Sequence, residues 1–357
     1  MVTIDDILAK IRPNIAKLTP YRCARDDFDS GILLDANENS FGSAIDSDLE
    51  LHRYPDPHHA KLCKAYAAYR GVNPDQLFFG VGSDEAIDNI IRIFCEPGQH
   101  SLLITPPTYG MYKVSANINN VQISEAPLTK SFQLDIPALK DAIEDNTRII
   151  FLCSPNNPTG NTLNREDVLE VLKNFDGIVV VDEAYIDFCP DKTFAKDVED
   201  YPNLVVLQTL SKAFGMAGIR LGAAIAHRSI IRFMRSIKAP YNLNSYTLNA
   251  GLEVLAANEK VAKSVKALND ERVWLSEQLD VIPEVETIFP SDANFLLIRI
   301  QKAKQIYYRS AELGVVIRYR GDQMHCEETL RITIGTRAEN EELLKVLKQI
   351  IQELKTP

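Results

Sequence analysis

The sequence predicts an α/β protein in which a large domain built on a mostly parallel sheet is followed by a small α+β domain. Two patterns carry this reading. From about residue 58, short apolar and β-branched runs alternate with stretches of helical period: Ser101–Thr105, Arg148–Cys153, Gly177–Val181, Asn203–Leu207 and Leu221–Ala226. The crossovers are about twenty residues long, enough for a helix to return the chain beside its starting strand. After about residue 245 the character changes. Val261, Val265, Leu268, Leu275 and Leu279 share one helical face, and strand-like runs follow at Asn294–Ile300, Gly314–Tyr319 and Leu330–Ile334. A charge-rich last helix, Glu339 to Lys355, aligns Leu343, Leu347, Ile350, Ile351 and Leu354.

Ahead of the large domain, residues 1–36 read as a short amphipathic helix and then an irregular arm, because Pro13 and Pro20 forbid one continuous helix. The organisation is therefore an arm over 1–36, a large domain over 37–245 and a small domain over 246–357. The 357 residues carry 39 Lys+Arg and 49 Asp+Glu, a net charge of −10, which argues against a sequence-independent grip on nucleic acid. Small anionic ligands stay possible where a few arginines converge. Cys23, Cys63, Cys95, Cys153, Cys189 and Cys326 are scattered without a Cys-x-x-Cys pair and read as thiols of a reducing compartment. No apolar run approaches the ~18–20 residues of a membrane span, and Met1 to Tyr21 lacks the marks of a targeting signal, so a cytoplasmic location is expected. The six histidines show no metal-ligand spacing, and the adjacent pair His58-His59 cannot point one way on a regular element. No metal is expected.

Two motifs mislead. Gly80-Val81-Gly82-Ser83-Asp84-Glu85 begins like a dinucleotide fingerprint, but Glu85 stands where the third glycine must allow close helix–strand packing. The run Ile178 to Glu183 resembles the acid-ended strand of nucleotide hydrolases, yet no Gly-Lys dipeptide supplies their phosphate loop. Neither a Gly-x-Ser-x-Gly elbow nor a Ser-x-x-Lys motif occurs. Three other segments each follow an apolar strand-like run: Ser154-Pro155-Asn156-Asn157-Pro158-Thr159-Gly160, Val181-Asp182-Glu183-Ala184-Tyr185, and Ser211-Lys212 through Arg220-Leu221-Gly222. In an open α/β sheet, ligands bind beyond the carboxyl ends of the strands, so the three are expected to converge there.

Together these segments resemble the fold-type I pyridoxal-phosphate aminotransferases, and most of all the histidinol-phosphate aminotransferases among them. The resemblance spans nearly the whole chain. It takes in Ile11-Arg12-Pro13, Pro20-Tyr21, Leu34-Asp35-Ala36-Asn37-Glu38-Asn39, Arg53-Tyr54-Pro55-Asp56 and Leu330-Arg331-Ile332-Thr333-Ile334-Gly335. It implies a seven-stranded, mostly parallel sheet, pyridoxal 5'-phosphate as cofactor, and an arm that packs on the small domain and on a partner. The implied reaction is transamination of L-histidinol phosphate with 2-oxoglutarate in histidine biosynthesis. Relatives acting on aromatic or other amino acids, or a phosphothreonine-type decarboxylase, share most of the cofactor residues.

Within that resemblance, the cofactor's chemistry distributes the roles. Lys212 forms an imine with the aldehyde and moves the proton between the substrate Cα and the cofactor's C4′. Asp182 keeps the pyridine nitrogen protonated, while Tyr185 and Asn157 hydrogen-bond the phenolic oxygen. Gly82, Ser83 and Asp84, at the start of a helical stretch, hold the phosphate together with Ser211 and Arg220, and Tyr109 stacks on the ring. Tyr54 reaches the phosphate of the neighbouring subunit, which makes a homodimer the obligate unit. For the substrate, the resemblance points to Arg331 and Arg318, with Tyr21, Asn37, Tyr54 and Asn157 around them.

Overall fold

The computed structural model describes residues 2–27 and 31–355. Seven strands form the main sheet: β1 (Leu77–Val81), β2 (Ser101–Ile104), β3 (Gln122–Glu125), β4 (Thr147–Cys153), β5 (Ile178–Asp182), β6 (Leu204–Thr209) and β7 (Leu221–Ala226). Their order is β1-β7-β6-β5-β4-β2-β3. Strands β6, β5, β4, β2 and β3 run parallel, and β7 is antiparallel to both β6 and β1. The central strands are buried on both faces, which is why Ile178-Val179-Val180-Val181 reads as an unbroken apolar run rather than an alternating one. One core lies on each side of the sheet. Phe78, Ile90, Phe151 and Val205 belong to one, and Phe79, Leu152, Val206 and Leu221 to the other.

The small domain carries β8 (Val285–Ile288), β9 (Phe295–Ile300), β10 (Arg318–Tyr319) and β11 (Thr329–Thr333), antiparallel in the order β10-β11-β9-β8. The helices Ala303–Glu312 and Arg337–Lys355 cover this sheet, and the apolar stripe of the latter buries Leu343, Leu347 and Ile350. The helix Ser245–Ala256 packs instead on the large-domain helix Ala60–Arg70, where a Cβ on Gly251 would meet Leu221 and Leu62. Val261 also joins the large-domain core, so the small domain's own core begins at Leu275. Among the described residues, no helix is long and apolar enough to cross a membrane, and no His/Cys/Asp/Glu group is placed to hold a metal.

Several elements differ from the expected ones, each for a physical reason. Strand β1 was not anticipated because its last residues, Gly80 and Val81, read as part of the Gly-rich turn through Glu85, and β3, Gln122-Ile123-Ser124-Glu125, is a short edge strand too polar to stand out. Of Gly314–Tyr319 only Arg318 and Tyr319 pair. The N-terminal helix divides into Ile4–Leu8 and Pro13–Ala16. Its buried side chains, Ile7 and Ile11, enter the large-domain core, and Arg12 pairs with Glu96 at 3.0 Å. Residues 2–16 thus pack on the large domain, not on the small one. They do so because their apolar face meets the helices Gly82–Phe94 and Arg228–Ile237.

Candidate active site

The carboxyl ends of the parallel strands all open on one edge of the sheet, and the loops leaving them build the site. Strand β5 ends on Asp182, β4 leads into residues 154–160, β2 into Pro106 to Gly110, and β6 into Ser211 and Lys212. Because β7 runs the other way, its first residue lies on this same edge, and that brings in Arg220 from just before it. The edge and the small domain enclose a cavity of about 640 Å³. Its wall includes Ser83, Asp84, Tyr109, Asn157, Asp182, Tyr185, Ser211, Lys212, Arg220, Arg318 and Arg331, which are eleven of the residues expected at the site. Asn156 and Asn157 divide the labour in their loop. Asn156 donates to Pro107 O at 2.9 Å and to Thr159 Oγ1 at 2.7 Å, and Asn157 faces the cavity.

Asp182 is buried beneath the cavity floor. Its Oδ2 accepts from the Tyr112 hydroxyl at 2.7 Å and its Oδ1 from the Ala184 N–H at 3.1 Å. Burial pushes its carboxyl up to about 6, against the pull of those two hydrogen bonds. A buried carboxylate in this state favours a cationic partner. Lys212 is open to the cavity, with Nζ 5.6 Å from the centre of the Tyr185 ring. Desolvation by the cavity walls and the charges of Arg331 and Arg220 push its ammonium down, which enlarges the fraction of free amine available as nucleophile or base.

Tyr112 was not singled out from sequence, although Tyr109-x-x-Tyr112 spaces two rings by one helical turn. The Tyr112 ring stacks on Phe151 at 4.6 Å and meets Tyr109 edge-on at 5.6 Å, so it locks both the carboxylate and the ring above the floor. Burial raises the phenols of Tyr109, Tyr112 and Tyr185 above their ordinary range, which keeps all three protonated as donors.

At one end of the cavity the helix Gly82–Phe94 begins without a side-chain cap, and it presents its first N–H groups and positive end. Gly82 adopts φ +72° and donates to Arg220 O at 2.8 Å. Gly82 is absent from the cavity wall itself and acts by shaping the turn. Arg220 Nη2 lies 3.3 Å from Asp84 Oδ2, and Tyr109 donates to Asp84 Oδ1 at 3.1 Å. The turn sits directly on β7: a Cβ on Gly222 would lie 2.2 Å from Ser83 N and 2.3 Å from Gly82 C. Gly222→Ala is therefore expected to cost about 3 kcal/mol of stability, since backbone must move to admit the methyl group. Urea unfolding measures this, and a variant within about 0.5 kcal/mol of wild type would show that the turn is not held against β7.

At the other end, the register of β10 on β11 sets Arg318 directly opposite Arg331. Arg331 Nη1 donates to Asn157 Oδ1 at 2.5 Å, and its guanidinium lies 5.3 Å from the Phe295 ring centre. Arg320 and Gln323 also line the cavity and were not anticipated, although Arg318-x-Arg320 has the period of a strand face. The loop from β4 is pinned to the small domain. Asp292 N donates to Gly160 O at 2.8 Å, and Thr162 Oγ1 donates to Asp292 Oδ2 at 2.8 Å.

Tyr21, Asn37 and Tyr54 do not line the cavity within one chain. Tyr21 borders a separate hollow beside His59 and Arg235, and Tyr54 stacks on Tyr241 at 4.5 Å. Asn37, at φ +55°, stands exposed next to Glu38. The Glu38 carboxylate ties this segment together: Oε2 accepts from Arg25 and Arg53, each at 2.7 Å, and Oε1 from the Tyr54 N–H at 2.7 Å.

These features test whether pyridoxal phosphate, implied by the sequence resemblance, fits the residues present. An uncapped helix start with an arginine suits a phosphate, a buried carboxylate suits a protonated ring nitrogen, and an open lysine suits an aldehyde. The fit is complete on those three counts. A lysine, a buried carboxylate and an anion cradle at the carboxyl edge of a mostly parallel sheet define the class: a fold-type I enzyme of group transfer to and from amines. Residues 29–347 match the family described as aminotransferase class I and II. The chain is 48% identical to a histidinol-phosphate aminotransferase of Cytophaga hutchinsonii, over 97% of this chain and 99% of that one. It is 44% identical to a histidinol-phosphate aminotransferase of Saccharomyces cerevisiae, over 98% and 99%. The crystal structure of the histidinol-phosphate aminotransferase from Clostridium acetobutylicum superposes with a TM-score of 0.78 at 25% identity, over 85% of this chain and 92% of that one. This chain belongs to the class I and II aminotransferases, and it is an enzyme.

Proposed function

We propose that the enzyme uses pyridoxal 5'-phosphate to transaminate L-histidinol phosphate with 2-oxoglutarate, giving imidazole-acetol phosphate and L-glutamate in histidine biosynthesis. The observation that carries this reading is the pair Arg318 and Arg331. Like charges set opposite each other across a strand pair repel, and a phosphate or carboxylate between them turns that repulsion into binding. Near-full-length identity to enzymes of that name supports the same substrate.

When bound, the cofactor supplies an aldehyde that bonds to amines and a ring that accepts electrons from the substrate Cα. Ser83, Asp84, Ser211 and Arg220 hold its phosphate, with the Gly82 turn shaping the cradle. Asp182 holds the proton on the ring nitrogen, and Tyr112 and the Ala184 N–H hold Asp182. Tyr185 and the Asn157 amide donate to the phenolic oxygen, and Tyr109 packs on the ring face. Lys212 would hold the cofactor through its aldehyde, and its amine would carry the proton between the substrate Cα and the cofactor.

The active unit in this reading is a homodimer. Ile32 and Leu34 of the arm and Phe41 and Ile45 just after it stand exposed, an apolar surface that a second copy would cover. Tyr54, Tyr21 and Asn37 then complete the partner's site. The reading places the enzyme in the cytoplasm, as the scattered cysteines without a Cys-x-x-Cys pair led the sequence to suggest.

A visible absorbance titration of the cofactor-loaded protein tests the substrate. L-Histidinol phosphate is expected to convert the lysine-bound form of the cofactor to its amine form at lower concentration than L-glutamate or L-phenylalanine. Conversion by the amino acids alone would keep the aminotransferase and remove this substrate.

A further inference from the structure

Three guanidiniums, not two, face the oxyanion end of the cavity. Arg320 follows Arg318 by two residues, and its N–H donates to Thr329 O at 3.0 Å, which continues the β10–β11 ladder past Tyr319. Successive strand residues alternate faces, so Arg318 and Arg320 share one face, with Arg331 opposite Arg318 on the neighbouring strand. Among the described residues, none of the three forms an ion pair with a carboxylate. The Arg320 Nε is buried without a hydrogen-bond partner, and so is Oε1 of Gln323, three residues on. Both residues line the cavity. The turn that carries them is built closely: the Tyr319 ring lies over Gly321, where a Cβ would come within 2.3 Å of the Tyr319 hydroxyl.

An unpartnered buried donor is a destabilising feature in a protein at rest, as is a cluster of like charges. Burial and the charges of Arg331 and Arg318 push the Arg320 guanidinium down to about 10, with Asp322 and Tyr185 countering only in part. It stays cationic at neutral pH. A ligand that brings two negative charges and several acceptor oxygens removes the unfavourable terms together. A phosphomonoester dianion has both, whereas a carboxylate brings one charge and two oxygens to one site. Turning the Gln323 amide about its last torsion replaces Oε1 with an NH2 donor, which adds to the cradle.

We propose that Arg320, with Gln323 beside it, completes a three-guanidinium pocket that selects the phosphomonoester dianion of the amino donor over a carboxylate. This rests on the substrate reading above, and it adds the residue by which one site tells its two kinds of anion apart. Arg318 and Arg331 serve both substrates, and Arg320 acts chiefly on the phosphate.

The test is calorimetric binding of amine-free probes, glycerol 3-phosphate and glutarate, to the cofactor-loaded protein, for wild type, Arg320→Met and Arg320→Lys. An unchanged visible spectrum of the bound cofactor certifies that each variant keeps its site. Wild type is expected to bind glycerol 3-phosphate more tightly than glutarate, with affinity rising as the pH passes the phosphate's second ionisation near 6. Arg320→Met should weaken glycerol 3-phosphate binding by about 10–100-fold and lose most of that pH rise, with glutarate binding changed less than about threefold. Arg320→Lys, which restores the charge without the fork, should recover part of the loss. If wild type prefers the phosphomonoester and Arg320→Met does so equally, the assignment of Arg320 is wrong and the substrate reading stands. If wild type itself shows no such preference, the substrate reading fails and takes this proposal with it.

Discussion

Lys212→Ala is expected to lower turnover by more than about 10⁴-fold while the fold persists. In the proposed function one side chain performs two tasks, covalent attachment and proton transfer at the substrate Cα, and each is worth orders of magnitude. The substitution should not unfold the protein. Lys212 opens to the cavity, and among the described residues its ammonium makes no hydrogen bond or ion pair that the core would miss. Far-ultraviolet circular dichroism and the unfolding midpoint should match wild type. Borohydride treatment followed by mass measurement separates the two forms: wild type should keep the cofactor mass on the peptide that contains Lys212, and the variant should carry none. Normal turnover in the variant, or a cofactor mass on another lysine, would overturn the assignment.

Asp182→Asn is expected to lower activity by about 10³-fold and, in the cofactor-stripped protein, to alter the pH dependence of stability in a set direction. The carboxyl ionises at 3.8 when exposed and at about 6 when buried in the fold. Between those values the native state binds more protons than the unfolded state, so the contribution of Asp182 to stability is full below 3.8 and lost as the pH rises towards 6. At 1.36 kcal/mol per unit, the loss is about 3 kcal/mol. Asparagine has no such loss and can satisfy the same neighbours, with its oxygen accepting from Ala184 N–H and its amide donating to the Tyr112 oxygen. Relative to wild type, the variant should therefore gain about 3 kcal/mol between pH 3 and pH 7 in urea unfolding. Parallel curves across that range would show that Asp182 is not a destabilised buried carboxylate. Loading with the cofactor should reverse the order, because the carboxylate then has the ring nitrogen's proton to pair with.

The two variants act on residues that the chain announces plainly. Asp182 ends an apolar run of four residues and Lys212 follows another such strand by three, so the sheet rule alone places both at the binding edge. Arg220 was legible for the same reason, although it reaches the edge by preceding an antiparallel strand. The edge strand β3 was not legible, since it is half polar and lacks the apolar density of a doubly covered strand. The N-terminal helix was visible as amphipathic, but amphipathicity names no partner. Which core Ile7 and Ile11 enter is decided by the groove that the large domain leaves for them.

What the sequence by itself determined is therefore local: which segments are strands, where each ends, and which chemical groups stand just beyond. Those facts follow from a period of two or 3.6 residues and from the chain's continuity. Tertiary structure alone decided what meets across distance. Tyr112 became the hydrogen-bond partner of Asp182, 70 residues away, because β2 and β5 flank β4 and the helix after β2 begins over the floor. Arg331 found Asn157, 174 residues away, because the small domain is pinned to the loop after β4. Arg318 and Arg331 became opposed charges through strand register, and a slip of one residue would have turned one of them to the far face. Spacing along the chain carries no information on such registers; they are settled by how the strands pair and the domains pack.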